Sequence, residues 1–285
     1  MLNKNVKNII GLDSEFDESK IVVFGAPFDG TTSFRAGTRF GPEAIRTESF
    51  GIETYSPYQD KDLADTKIFD SGDIELPFGN TERVLDLIAE RTKIILDNDK
   101  LPFMLGGEHL VTLGAFREVA KKYKDVCIVH FDAHTDLRED YLGEKLSHAS
   151  VIKRCYDIIG KDRIFQFGIR SGEKYEFEFA KKNTHLCKFN FDTLDIAIEK
   201  IGSRPVYFTI DLDVLDPSIF CGTGTTEAGG VTYKEFLEAL LKVGKLNVVG
   251  CDMVELSPHY DTSGVSTAVA CKTMRELLLS IYKEN

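Results

Sequence analysis

Short runs of consecutive apolar residues recur along this chain, and helical patterns fill the intervals between them. The runs are IVVFG (21–25), KIFDSG (67–72), PFMLGG (102–107), VCIVHFD (126–132), RIFQFG (163–168), PVYFTID (205–211) and NVVGCDMVE (247–255). Several are apolar at successive rather than alternate positions, the pattern of strands covered on both faces. Between them, TERVLDLIAERTKIILDND (81–99) has apolar residues at 84, 85, 87, 88, 94, 95 and 96, with Thr81 as its expected N-cap. TYKEFLEALLKVG (232–244) begins on a capping Thr and ends on Gly244, and 264–284 reads as a C-terminal helix. Such alternation predicts parallel β-α-β units. The 285 residues, 42% of them hydrophobic, can bury a large core, and no repeat or Pro- or Ser-rich linker divides them. A single α/β domain is expected.

The formal net charge is -11, which argues against nucleic acid as a partner, because phosphate binding needs clustered Lys and Arg. Ordinary solubility explains the acidity; a field favouring a cationic substrate is the sharper alternative. No apolar run approaches the ~20 residues of a membrane-crossing helix, and the opening MLNKNVKNIIG lacks the apolar stretch of a signal peptide. The six cysteines are scattered and form no C-x-x-C pair, and Cys127 and Cys251 sit inside apolar runs. Reduced thiols in a cytoplasmic protein are the expectation.

In a parallel sheet of this kind, ligands bind at the carboxyl ends of the strands. HFDAHTDLR places Asp132, His134 and Asp136 at i, i+2 and i+4 after an apolar run, so an extended chain directs all three to one side. TIDLDVLDP repeats the device with Asp211 and Asp213. PFML runs into GGEHLVT, where Gly106 and Gly107 permit a tight turn and His109 opens the next helix. A lone Asp in such a place usually caps a turn, and a lone His is usually packed. Carboxylates and imidazoles gathered at three strand ends would repel or stay unpaired unless a cation neutralised them. Four carboxylates and two imidazoles without a thiolate favour Mn, Mg or Fe(II), and the imidazoles disfavour Mg alone. Six donors exceed one tetrahedral site but suit two ions. Such a pair shares a bridging water and lowers its pKa from ~15.7 towards ~7, which makes a hydroxide nucleophile at neutral pH.

GGEH, DAHTD, SHAS, DLDVLDPS, GTGTTEAGG and DMVELSP occur in this order from about Gly25 to the C-terminus. Together they resemble the ureohydrolase family, which contains arginase, agmatinase, formimidoylglutamase and guanidinobutyrase. The resemblance implies one domain over 1–285, with 1–20 as an N-terminal extension. It implies a three-layer α/β/α sandwich with a mainly parallel eight-stranded sheet, and homotrimers or homohexamers. Two Mn²⁺ ions would be held by His109, Asp132, His134, Asp136, Asp211 and Asp213. The implied reaction is hydrolysis of a small cationic guanidino compound, with hydroxide attacking the trigonal guanidinium carbon. Glu255, at the end of the last apolar run, would pair with the planar guanidinium. His148, in SHAS, matches the family histidine that shuttles protons or positions substrate, and its ordinary pKa near ~6.5 suits that task. Asp136 would also hold the bridging hydroxide and pass its proton to the leaving amine. GAPFDGTTSFRAGTRFGPEAIR (25–46), GIRSG (168–172) and LREDYLGEKLSHAS resemble the agmatinase branch, whose product pair is putrescine and urea.

Other residues receive plainer readings. His130 is expected to be a satisfied core histidine, His185 a strand-end or surface residue, and Asp252 a support rather than a ligand. His259 lies outside the expected site, with the site entrance as its alternative. GTGTTEAGG lacks the GK[ST] of a phosphate loop and is expected to form a compact loop near the site mouth. Cys221 and Thr226 stand where the family often has proline, and Glu108 where many members have Asp; none of the three is an expected ligand. Another ureohydrolase activity is the first alternative. A zinc-dependent deacetylase of acetylated polyamines is a second, and counting metal ions separates it, since that chemistry uses one ion. An idle, metal-stabilised binding oligomer is the third, and it would release no urea.

Overall fold

The computed structural model describes residues 7–283, so positions 1–6 of the expected N-terminal extension and the last residue of the expected C-terminal helix lie outside the described residues. The seven apolar runs all form strands, and an eighth joins them. In chain order they are β1 (Ile21–Ala26), β2 (Ile68–Asp73), β3 (Leu101–Gly106), β4 (Cys127–Phe131), β5 (Ile164–Ile169), β6 (His185–Lys188), β7 (Pro205–Asp211) and β8 (Asn247–Val254). They make one sheet in the order β2-β1-β3-β8-β7-β4-β5-β6, and every neighbouring pair is parallel. The helices are α1 (Gly41–Glu48), α2 (Thr81–Asp97), α3 (Val111–Lys122), α4 (Val151–Ile159), α5 (Lys174–Asn183), α6 (Leu194–Ile201), α7 (Tyr233–Val243) and α8 (Val265–Ile281).

The period-two geometry of each strand divides its side chains between two cores. Val23, Phe103, Leu105, Val129, Phe131 and Phe208 join residues of α1, α6, α7 and α8 on one face. Val22, Phe24, Met104, Ile128 and Tyr207 join residues of α2, α3, α4 and α5 on the other. The result is a single-domain, three-layer α/β/α sandwich, as expected. Ile9 and Leu12 are buried in the first of these cores, so the chain is packed well before β1.

Some local expectations differ. Asn80, not Thr81, caps α2: the Asn80 side chain accepts from Arg83 N at 3.0 Å, while Thr81 is already helical. Strand β6 escaped the pattern because it is a four-residue edge strand, HLCK, paired on one side only and partly exposed. A two-residue antiparallel pair, Tyr55–Ser56 with Lys61–Asp62, was also unmarked. Thr232 caps α7 as expected, reciprocally with Glu235.

The sheet order has one consequence for chemistry. Strands β3, β8, β7 and β4 are consecutive neighbours at its centre. Their carboxyl ends therefore line up, with Met253 opposite both Leu105 and Ile210, and Phe131 also opposite Ile210. Side chains that follow those four strands must meet.

Candidate metal centre and its cleft

Strand β3 ends in a turn that only glycine permits. A Cβ on Gly107 would lie 1.9 Å from the Phe28 carbonyl oxygen. The turn places His109 one residue before the N-cap of α3 rather than inside the helix, and the imidazole is 1% exposed. After β4, the Asp132 carboxylate accepts from His134 N at 2.5 Å, and Asp136 takes a left-handed conformation with φ 51°. After β7, Asp213 N donates to Asp211 Oδ1 at 2.9 Å, and Ala133 N donates to Asp213 Oδ1 at 3.0 Å, tying the two acidic turns together. After β8, Glu255 also has a left-handed backbone, φ 67°, and its Oε1 accepts from His109 N at 2.7 Å. Two non-glycine residues with positive φ in one site mark backbone held there by its surroundings.

All six expected ligands converge. His109 Nδ1 lies 3.1 Å from Asp132 Oδ2, 3.0 Å from Asp136 Oδ2 and 3.5 Å from Asp211 Oδ2. His134 Nδ1 lies 3.0 Å from Asp213 Oδ2 and 3.5 Å from Asp132 Oδ1. Among the described residues, two groups have donor atoms close enough to hold a cation: His109, His130, Asp132 and Asp136 in one, Asp132, His134 and Asp213 in the other. Asp132 belongs to both, one oxygen facing each. His109 Nδ1 and Asp213 Oδ2 are buried without a hydrogen-bond partner. Each normally requires one, and each belongs to one of the two donor groups. This donor set fits a pair of cations.

The electrostatics say the same. Burial, then the charges of Asp213 and Asp132, push the Asp211 carboxyl well above its ordinary range, and burial raises Asp213. Burial opposes ionisation of Asp132 too, but the surrounding imidazoles of His130, His109 and His134 hold its carboxyl well below the usual range. Burial likewise opposes charging of His109 and His134, and the carboxylates override it and raise both. The buried carboxylates and imidazoles here thus set one another's tendency to ionise.

Beside this centre opens a cleft of about 370 Å³, lined by residues that include Ser33, His134, Asp136, Arg138, Tyr141, His148, Asp211 and Thr225. His148 Nε2 is 2.9 Å from Ser33 Oγ and accepts from Ser33 N at 3.0 Å, while Nδ1 faces Glu255 Oε1 at 3.5 Å. Burial would lower the His148 pKa, but Glu255 raises it. Thr31 donates its N–H to Glu108 at 2.8 Å and its hydroxyl to the other Glu108 oxygen, and that hydroxyl accepts from His148 N at 3.1 Å. Glu108 thereby joins the 28–33 loop to the cleft, and burial pushes its pKa up to about 8.

Relatives now give this arrangement a family. The arginase-family model matches residues 19–280. An agmatinase of Bacillus cereus is 52% identical over 94% of both chains, and one of Bacillus subtilis is 48% identical over 97% of both. A crystal structure of a Clostridium difficile protein provisionally assigned as an agmatinase superposes with a TM-score of 0.92 at 54% identity, covering 94% of this chain and 99% of that one. The chain belongs to the arginase family. It is a ureohydrolase, most like the agmatinases.

The family motifs also clarify the remaining residues. Arg170 of GIRSG lies outside the cleft lining and holds the loop after β7, donating to the carbonyls of Asp213 (2.7 Å), Val214 (3.1 Å) and Glu227 (2.8 Å). Thr225 carries GTGTTEAGG to the cleft, and Gly224 O accepts from Arg35 Nε at 3.1 Å. Asp252 is a support: it accepts from Thr209 and Tyr207, both at 2.6 Å, and Thr209 Oγ1 is 2.9 Å from His109 Nε2. His130 is fully buried with both ring nitrogens partnered. His185 opens β6 and stacks on Phe165. His259 packs edge-on against Phe40 and lines a different cavity, so it does not border the entrance. All six thiols are free, and only Cys221 is exposed. Ser33, Arg138 and Tyr141 of the cleft lining, and Thr31 behind it, were missed; the agmatinase-like segments contain them, but nothing local marks them. No described helix is long and apolar enough to cross a membrane.

Proposed function

We propose that this ureohydrolase hydrolyses agmatine to putrescine and urea, as a step in polyamine synthesis. The observation that carries the reading is the run of agmatinases about half identical to it over nearly its whole length. His109, Asp132, Asp136 and Asp211 would hold one Mn²⁺, and Asp132, His134, Asp211 and Asp213 the other. When bound, the two ions would supply an acidified water as nucleophile.

The side chains do the rest. Glu255 is anchored by His109 N and pairs through its carboxylate with the planar guanidinium, fixing the trigonal carbon in front of the nucleophile. Asp136 accepts the proton of the attacking water and returns it to the leaving amine. His148, braced by Ser33, sits against Glu255 and moves protons at the cleft. The protein is proposed to work in the cytoplasm as a homotrimer or homohexamer.

One observation favours a guanidino acid instead: Arg138 lines the cleft and could meet a carboxylate. Its guanidinium, however, already faces Glu173 at 3.3 Å and Glu176 at 3.7 Å. Agmatine carries no carboxylate to compete for it. Steady-state kinetics with Mn²⁺ on agmatine, arginine, 4-guanidinobutyrate and formimidoylglutamate test the proposal. Agmatine is expected to have the highest kcat/KM; a large preference for any other of the four refutes it.

A further inference from the structure

A buried chain of hydrogen bonds runs from the edge of the sheet to the carboxylate shared by the two donor groups. Thr184, just before β6, donates its hydroxyl to Gln166 Oε1 at 3.1 Å. Gln166 Nε2 donates to the Thr135 carbonyl oxygen at 2.9 Å and lies 3.2 Å from His130 Nδ1. His130 Nε2 lies 2.7 Å from Asp132 Oδ2. Gln166, His130 and Asp132 are all 0% exposed.

The Thr135 carbonyl sets the direction of the chain. A main-chain carbonyl only accepts, so the amide nitrogen of Gln166 faces Thr135, and the amide oxygen takes the Thr184 hydroxyl. The same nitrogen donates to His130 Nδ1. The imidazole is therefore the Nε2–H tautomer, and it donates to Asp132. A nitrogen that carries a proton has no lone pair for a cation.

We infer that His130 is a positioning residue for Asp132 and not a third imidazole ligand, although its Nε2 lies among the donor atoms of the first group. The inference rests on the reading of Asp132 as a ligand shared by two ions. Asp132 Oδ2 faces His109 Nδ1 at 3.1 Å and Oδ1 faces His134 Nδ1 at 3.5 Å. A carboxylate that must present one oxygen to each side is useless if it turns. His134 N fixes Oδ1 at 2.5 Å, and His130 fixes Oδ2. Gln166 and Thr184 in turn fix the ring and its tautomer. Buried partners of this kind typically alter metal affinity by about 10–100-fold.

The test is Mn²⁺ binding to the full metal-free chain, followed by electron paramagnetic resonance, for wild type, His130→Leu, His130→Gln and Gln166→Leu. Wild type is expected to take two ions, each with one imidazole nitrogen coupling in spin-echo spectra. His130→Leu is expected to weaken one ion by about 10–100-fold. His130→Gln, which restores an N–H towards Oδ2, is expected to recover most of that loss. Gln166→Leu, one residue further out, is expected to lower the same affinity by a smaller factor, and it serves if His130→Leu does not fold. Wild-type affinity in His130→Leu or Gln166→Leu, no recovery in His130→Gln, or two imidazole couplings on one ion overturns the inference. A wild-type chain that takes up fewer than two ions refutes instead the reading of the centre on which it stands.

Discussion

Replacing Glu255 by Gln separates substrate recognition from metal binding. The carboxylate is 2% exposed, follows the central strand β8 and holds His109 N at 2.7 Å. Glutamine keeps a carbonyl oxygen that can accept from that same N–H, so the turn, the left-handed backbone and the imidazole it positions should survive. What disappears is the negative charge proposed to face the guanidinium. Removing one partner of a buried charged pair costs about 3–5 kcal/mol, or about 10²–10⁴-fold in kcat/KM at ~1.4 kcal/mol per decade. The assay is kcat/KM for agmatine beside the Mn²⁺ content of the purified variant. Two ions retained with activity lowered by that factor support the role. Activity within about threefold of wild type refutes guanidinium pairing, and loss of metal would make Glu255 part of the metal basket instead.

Other perturbations divide the remaining roles. His134→Ala and Asp213→Ala should each lower metal content and activity together, read by elemental analysis and kinetics, because both donors face the same side of Asp132. Glu108 is raised to about 8 by burial, so metal-free protein should lose stability as pH rises from about 4.5 to 8: the unfolded carboxyl ionises first. Urea midpoints at pH 5, 6, 7 and 8 should fall, with the raised Asp211 and Asp213 contributing as well, and Glu108→Gln should reduce the slope by at most about 1.4 kcal/mol per pH unit. Arg170→Met should strand several carbonyls of the loop after β7 and cost on the order of 3 kcal/mol in the same assay.

The parts of the fold legible in the sequence were those carried by dense local signals. Runs such as IVVFG and VCIVHFD are apolar on both faces because helices cover both faces of the sheet. The edge strand β6 lacks that cover on its outer side, so HLCK carries no such run. Asn80 rather than Thr81 caps α2 because the helix begins at Thr81, one residue earlier than the apolar pattern marks. The six expected ligands stood out because three strand ends repeat one chemical theme. Their supports did not, because they pair across long separations: Ser33 with His148, Thr31 with Glu108, Gln166 with His130. The sheet order, with β3, β8, β7 and β4 side by side, is what turns those separations into contacts.

Six side chains at the ends of three central strands, β3, β4 and β7, are proposed to hold two ions through the shared carboxylate of Asp132. Anomalous diffraction from Mn²⁺-loaded crystals tests it most directly. Two peaks about 3.5–4 Å apart are expected, one against His109 Nδ1 and one against His134 Nδ1, with Asp132 touching both. A single peak, or a peak bonded to His130 Nε2, would contradict it.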